Sequence, residues 1–342
     1  MDTDTFTVTS PDSAGLKRAE DLWFADCGLI IRAENTLFRV SRDFLAIQSP
    51  VFADMLSLPP PLPSHLLDGC PFVRLPDPAD HIARFLKAMI YPNFFERYPA
   101  PTSFETLDAV LRMSHKYDVE WLRKRAVVHL STAFPTTLSD YETVTTSSWV
   151  ESLAENGGAA YLHLLTLARD LLIHWILPMV LACPTHFDAF LGPKRGVKYQ
   201  NFRKSHCPKA LLPKIRLVRG VTPQMALLIE RNTTVLCLQP NQGIPVDSCL
   251  SPAGCASAQM RCLEDAQSVF IASARRRNPE RMPLTVWQME DWEGYQSCNL
   301  CLDHMKNVHQ AARQSFWDGL PKMFGLVAWS ELETMKAEAL KD

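Results

Sequence analysis

The order of the hydrophobic patterns in the first 140 residues is the feature that most constrains this chain. Short β-prone runs come first, at Leu29–Ala33, Thr36–Val40 and Val73–Leu75, and helical patterns follow them. The dipeptide Glu34-Asn35 between the first two runs predicts a hairpin. Because the strands precede the helices instead of alternating with them, the pattern predicts an α+β domain with a short mixed sheet flanked by helices.

Capping residues predict where several helices begin. Ser41 precedes one short helical run and Ser49-Pro50 precedes the next. A serine side chain before a helix can accept a hydrogen bond from a backbone N–H of the first turn. Proline is tolerated in that turn because the backbone N–H that it lacks would have no acceptor within the helix. Thr102 and Glu105 have the spacing of a capping box and predict the start of a later helix.

Several strings of this region, in order, resemble the core of the BTB/POZ family. They are Asp21–Phe24, Leu37–Leu45, Ser49–Leu56, Val73–Asp77 and His115–Val119. The resemblance covers residues 21–135. It departs from the family at Ser41, where members usually carry a buried histidine. The proline-rich insertion at residues 59–70 and the closing Phe316–Trp329 stretch resemble fungal, basidiomycete members.

The resemblance implies a protein-interaction domain that is often homodimeric. The implied partners are a second copy of the chain and a further, unidentified protein. A cullin scaffold is a candidate, since some family members are adaptors for cullin-type ubiquitin ligases. We predict that Leu22, Trp23 and Phe24 contribute to the self-association interface, because these apolar residues open the domain without an obvious place in a monomer core.

The length of 342 residues predicts roughly two domains. We expect a disordered tail at residues 1–20, the interaction domain at 21–136 and a mainly helical region at 137–342. The most apolar segment, Tyr161–Cys183, contains Arg169, Asp170 and Pro178, so it predicts a buried helix and no membrane span. The polar, acidic start predicts no signal peptide and hence an intracellular protein of the cytoplasm or nucleus.

One segment of the helical region is strongly basic. Phe190–Ile229 holds nine lysines and arginines and no acidic residue. We predict that residues 193–219 form a flexible, solvated insertion. The alternative is a nucleic-acid-associated regulator that uses residues 194–219 with the first domain as its dimeriser, because Tyr199 and Phe202 could stack on bases. We prefer the solvated insertion, and we therefore do not expect nucleic acid as a partner. We do not expect a membrane as a partner either.

Catalytic motifs are missing from the sequence. It has no glycine-rich phosphate loop, no Gly-x-Ser-x-Gly, no His-Glu-x-x-His and no kinase motif set. We therefore expect no enzymatic activity and a function as a non-enzymatic protein–protein interaction module.

The cysteines provide the one candidate cofactor site. Cys298-x-x-Cys301 has the spacing of half a tetrahedral zinc site, and Cys249 with Cys255 can supply the other half. The alternative is that all four are buried, reduced thiols that pack as small apolar side chains. Cys262, on an apolar helical stripe, illustrates that alternative.

Overall fold

The computed structural model describes residues 15–58, 66–67, 69–143, 158–182, 249–262, 264, 292 and 294–341. These residues form two compact units whose boundary in the sequence lies between Ser131 and Thr132. A small sheet near the N-terminus is followed mostly by helices, which confirms the predicted α+β class. The basic insertion predicted at residues 193–219 lies outside the described residues. The same holds for residues 222–238, where the pair Thr222-Pro223 predicts the start of a helix.

The first unit contains a sheet with the strand order β1-β3-β2-β5-β4. The strands are β1 (Lys17–Trp23), β2 (Leu29–Ala33), β3 (Thr36–Val40), β4 (Leu66–Leu67) and β5 (Cys70–Leu75). Strands β2 and β3 form the predicted antiparallel hairpin, whereas β1 runs parallel to β3 and β5 runs parallel to β2. The sheet is therefore mixed. Because β1 begins at Lys17, the prediction of a disordered tail through residue 20 is wrong for its last four positions.

Five helices complete the first unit: α1 (Arg42–Gln48), α2 (Pro50–Ser57), α3 (Ala79–Ile90), α4 (Phe104–Lys116) and α5 (Glu120–Thr132). The predicted caps of the first two are confirmed, because Ser41 and Ser49 accept hydrogen bonds from backbone N–H groups three residues ahead. The capping box predicted at Thr102 is wrong by one residue. Ser103 caps α4 by accepting from the Thr106 N–H at 3.2 Å.

The core of the first unit lies on one face of the sheet. Leu29, Ile31, Phe38 and Val40 point to that face and are fully buried, and α3 packs against β1 and β2. Alternation along β2 and β3 directs the remaining side chains of these strands to the opposite face.

The second unit is helical in its described part. Its helices are α6 (Leu138–Thr143), α7 (Gly158–Asp170), α8 (Leu177–Ala182), α9 (252–262), α10 (Asn299–Met323) and α11 (Trp329–Leu340). A short 3₁₀ turn, His174–Ile176, precedes α8.

The single buried helix predicted over Tyr161–Cys183 is wrong in its continuity. Helix α7 ends at Asp170, and Leu172 takes a left-handed φ of 59°. The Ile173 N–H then donates to the Ala168 carbonyl at 2.7 Å. This geometry closes the last helical turn and stops propagation, so a periodic hydrophobic pattern hides a chain reversal.

A pair of stacked tryptophans anchors the C-terminal helices. The rings of Trp317 on α10 and Trp329 on α11 stack with centroids 5.1 Å apart. Trp317 Nε1 also donates to the Thr136 carbonyl at 3.2 Å, which joins α10 to the segment before α6. Helix α10 continues past Pro321 to Met323.

Candidate metal centre

Four cysteines from two distant segments meet in the second unit. Cys249 and Cys255 flank the start of α9, Cys298 is the N-cap of α10 and Cys301 lies in the first turn of α10. Their four sulfur atoms all lie within 4.8 Å of one another. The structure thus brings together all four residues that the sequence nominated as metal ligands.

The spacing of the sulfurs fits tetrahedral zinc. With zinc–sulfur bonds of about 2.3 Å, tetrahedral geometry places the sulfurs roughly 3.8 Å apart. The Sγ atoms of Cys249 and Cys298 are 3.9 Å apart, and those of Cys249 and Cys301 are 3.4 Å apart. Small shifts of the side chains would place all four sulfurs around one ion.

Backbone N–H groups surround the sulfurs on Cys298 and Cys255. The N–H groups of Cys301 and Leu250 lower the pKa of Cys298 to about 6, so this thiol readily becomes a thiolate. The Cys298 N–H donates to Cys255 Sγ at 3.3 Å and lowers the pKa of Cys255. Such donors stabilise negative charge on sulfur, which is the form that binds metal.

The other two thiols resist ionisation in the absence of a cation. Burial raises the pKa of Cys301, and the neighbouring thiols raise it further. The Ser251 N–H lowers the pKa of Cys249, but burial and the hydrogen bonds that the Cys249 thiol donates to Cys255 and Cys298 outweigh it, so the net shift is upward. Four thiolates this close would repel one another strongly. A divalent cation supplies the charge that lets all four ionise.

A serine beside the cluster was missed by the sequence analysis. Ser297 Oγ is buried and makes no regular hydrogen bond within the described residues. Its proximity to Cys255 lowers the pKa of that thiol, so the hydroxyl can donate to the sulfur once it is charged. The available signal was a hydroxyl residue directly before the Cys-x-x-Cys pair.

Neither of two other residues with suitable side chains joins the cluster. Cys262 lies at the far end of α9 and His304 lies one turn further along α10 than Cys301. Within the described residues, the group that could hold a metal consists of Cys249, Cys255, Cys298 and Cys301.

The three residues predicted for the self-association interface differ in how far their side chains are buried. Leu22 is fully buried within the chain, so the argument that it lacks a place in a monomer core is wrong for this residue. Trp23 and Phe24 are half-buried. The Arg18 guanidinium lies 4.6 Å from the centre of a Trp23 ring.

Searches against protein-family models, curated proteins and solved structures gave no match to this chain. No helix within the described ranges combines the length and the hydrophobicity needed to cross a membrane. The basic residues from Lys194 to Arg219 lie outside those ranges.

Proposed function

We propose that this chain is a non-enzymatic interaction protein whose helical unit is stabilised by one structural zinc ion. The observation that carries the zinc assignment is the convergence of four cysteine sulfurs within 4.8 Å. Four thiolate ligands fill a tetrahedral site and leave no position for water or substrate, which is typical of structural zinc.

The zinc ion would join two segments that are distant in the sequence. Cys255 and Cys298 are 43 positions apart, and each lies at the start of a helix. A metal bound by both segments closes that loop, and its binding free energy becomes folding free energy because the unfolded chain has no preformed site. The cluster therefore fixes the start of α9 against the start of α10.

The first unit supplies the interaction surface in this proposal, as a BTB/POZ-type domain that self-associates or recruits a partner. Its element order supports this: a hairpin, a helix pair, a further strand and then helices follow the strings that carry the family resemblance. Three large apolar side chains are exposed on or directly after α1 and α2: Ile47, Val51 and the C-cap residue Leu58, with Ile47 80% exposed. Exposed apolar side chains on two helices that pack together favour burial against another protein.

Metal analysis of full-length protein purified without a histidine tag tests the zinc assignment. We expect one zinc ion per chain in the wild type and a large loss of zinc in Cys298→Ser. Cys262→Ser is the matched control and should keep its zinc, because this cysteine lies outside the cluster. A stoichiometry near zero that Cys298→Ser leaves unchanged would leave the buried, reduced thiols as the correct alternative.

A further inference from the structure

The pairing register of the sheet aligns two rows of side chains on the face opposite the buried core. Residues directly opposite each other on neighbouring strands point to the same face. Across β1, β3, β2 and β5, the first row consists of Arg18, Leu37, Arg32 and Arg74. Across the same strands, the second row consists of Trp23, Arg39, Ile30 and Phe72.

This face is positively charged. Arg18 and Arg74 are its exposed arginines. Arg32 is buried and Arg39 half-buried, and their Nε atoms donate to the carbonyls of Glu34 and Cys27. Strand β1 also carries two exposed acidic residues, Glu20 and Asp21, of which Asp21 pairs with Lys87 on α3. Glu34, in the hairpin turn, accepts from the Ala79 N–H at the start of α3. The exposed pair Arg18 and Arg74 therefore favours an anionic occupant.

The second row adds aromatic rings beside these arginines. Trp23 and Phe72 are half-buried and pack against the small apolar centre of the face, which contains Ile30, Leu37 and Cys70. The two rings lie three strand spacings apart, roughly 14 Å. The Arg18 guanidinium stacks on Trp23. Aromatic rings and guanidinium planes are both surfaces on which nucleobases stack.

We propose that this face binds single-stranded nucleic acid, with Arg18 and Arg74 contacting phosphates and Trp23 and Phe72 stacking on bases. In a single strand, phosphates and bases lie on opposite sides of the sugar chain. Here the exposed Arg18 and Arg74 lie in one row, and Trp23 and Phe72 lie in the adjacent row. An acidic peptide in extended form fits less well. Its successive side chains alternate between two faces, so only every second carboxylate would face the arginines. The site goes beyond the proposed protein-interaction function and uses residues outside the basic segment 194–219.

Fluorescence anisotropy on the full-length protein tests the proposal. The probe is a labelled oligouridine of about fifteen nucleotides, long enough for one compact binding surface. We expect Phe72→Leu to weaken binding by about fivefold or more through lost stacking. We expect Arg18→Ala/Arg74→Ala to reduce the dependence of log K on log salt by about 1.4, since each phosphate contact contributes about 0.7. Arg97→Ala removes an exposed arginine away from the sheet and should change neither quantity.

Three results would overturn the proposal. The first is the absence of oligouridine binding by the wild type. The second is unchanged affinity and salt dependence in Arg18→Ala/Arg74→Ala, which would assign binding to another part of the chain. The third is equal binding of a poly-glutamate peptide of the same charge, which would identify an acidic protein segment as the occupant. Circular dichroism of each variant ensures that a loss of binding is not a loss of fold.

Discussion

Tyr117 donates a hydrogen bond from its phenolic oxygen to Asp77 Oδ2 at 2.6 Å, inside the first unit. Both side chains are buried, and Lys116 Nζ reaches the same carboxylate at 2.6 and 2.7 Å. The Tyr117 ring also stacks on Phe52, with centroids 4.6 Å apart. The Asp77 carboxylate, which follows β5, thereby holds the end of α4 in place. The Tyr117 ring in turn packs against α2 through Phe52.

Loss of this hydrogen bond should destabilise the first unit. Tyr117→Phe keeps the ring stacking but removes the donor, so we expect the free energy of unfolding to fall by about 1.5–3 kcal/mol. Urea denaturation measures the change. Tyr98→Phe, at an exposed tyrosine, is the control and should change stability by less than about 0.5 kcal/mol. Equal effects of the two substitutions would show that the Asp77 contact contributes nothing.

Acid should destabilise the first unit through His129. Burial lowers the pKa of His129 below its usual 6.5, even though the hydrogen bond with the Glu96 carbonyl opposes the shift. The unfolded chain therefore binds a proton more readily than the folded chain. The part of the folding free energy that depends on neutral His129 is fully present above about pH 6.5. It is lost as the pH falls through that value towards the lower pKa of the folded state.

The variant His129→Gln should lose this part of the acid sensitivity. Its unfolding midpoint in urea should vary less between neutral pH and pH 5 than that of the wild type. If both proteins show the same pH dependence, His129 is not the responsible group.

Removal of zinc should loosen the second unit locally. A strong chelator should abolish amide-hydrogen exchange protection at the start of α9 and in the first turn of α10, because both depend on the cysteine cluster. The β2–β3 hairpin of the first unit should keep its protection. Uniform loss in both units, or no loss at all, would contradict a local structural role for the metal.

Self-association should depend on the apolar surface of α1 and α2. Light scattering of the full-length protein should give the mass of a dimer at tens of micromolar, and Ile47→Asp should shift it towards the monomer. A buried aspartate without a partner opposes such an interface strongly. Leu172→Asp is the control, because Leu172 is 65% exposed in the second unit. A monomeric wild type, or a dimer that tolerates Ile47→Asp, would refute this interface.

Local signals in the sequence determined much of the secondary structure. The Ser41 and Ser49 caps and the β2–β3 hairpin were predicted correctly because each depends on residues within a few positions of one another. The cap of α4 was displaced by one residue, since Thr102 and Ser103 offer the same chemistry. The backbone reversal at Leu172 was missed because the hydrophobic period continues across it.

Tertiary structure alone decided which distant residues meet. The sequence nominated Cys249 and Cys255 as partners of Cys298 and Cys301, but only the packing of α9 and α10 places their sulfurs within 4.8 Å. Likewise, Arg18 and Arg74 share a row only because β1 and β5 join the hairpin in one particular register. A shift of one residue would turn either side chain to the other face. Short-range hydrogen bonding is encoded by neighbouring residues, whereas these long-range pairings follow from burial of the whole core.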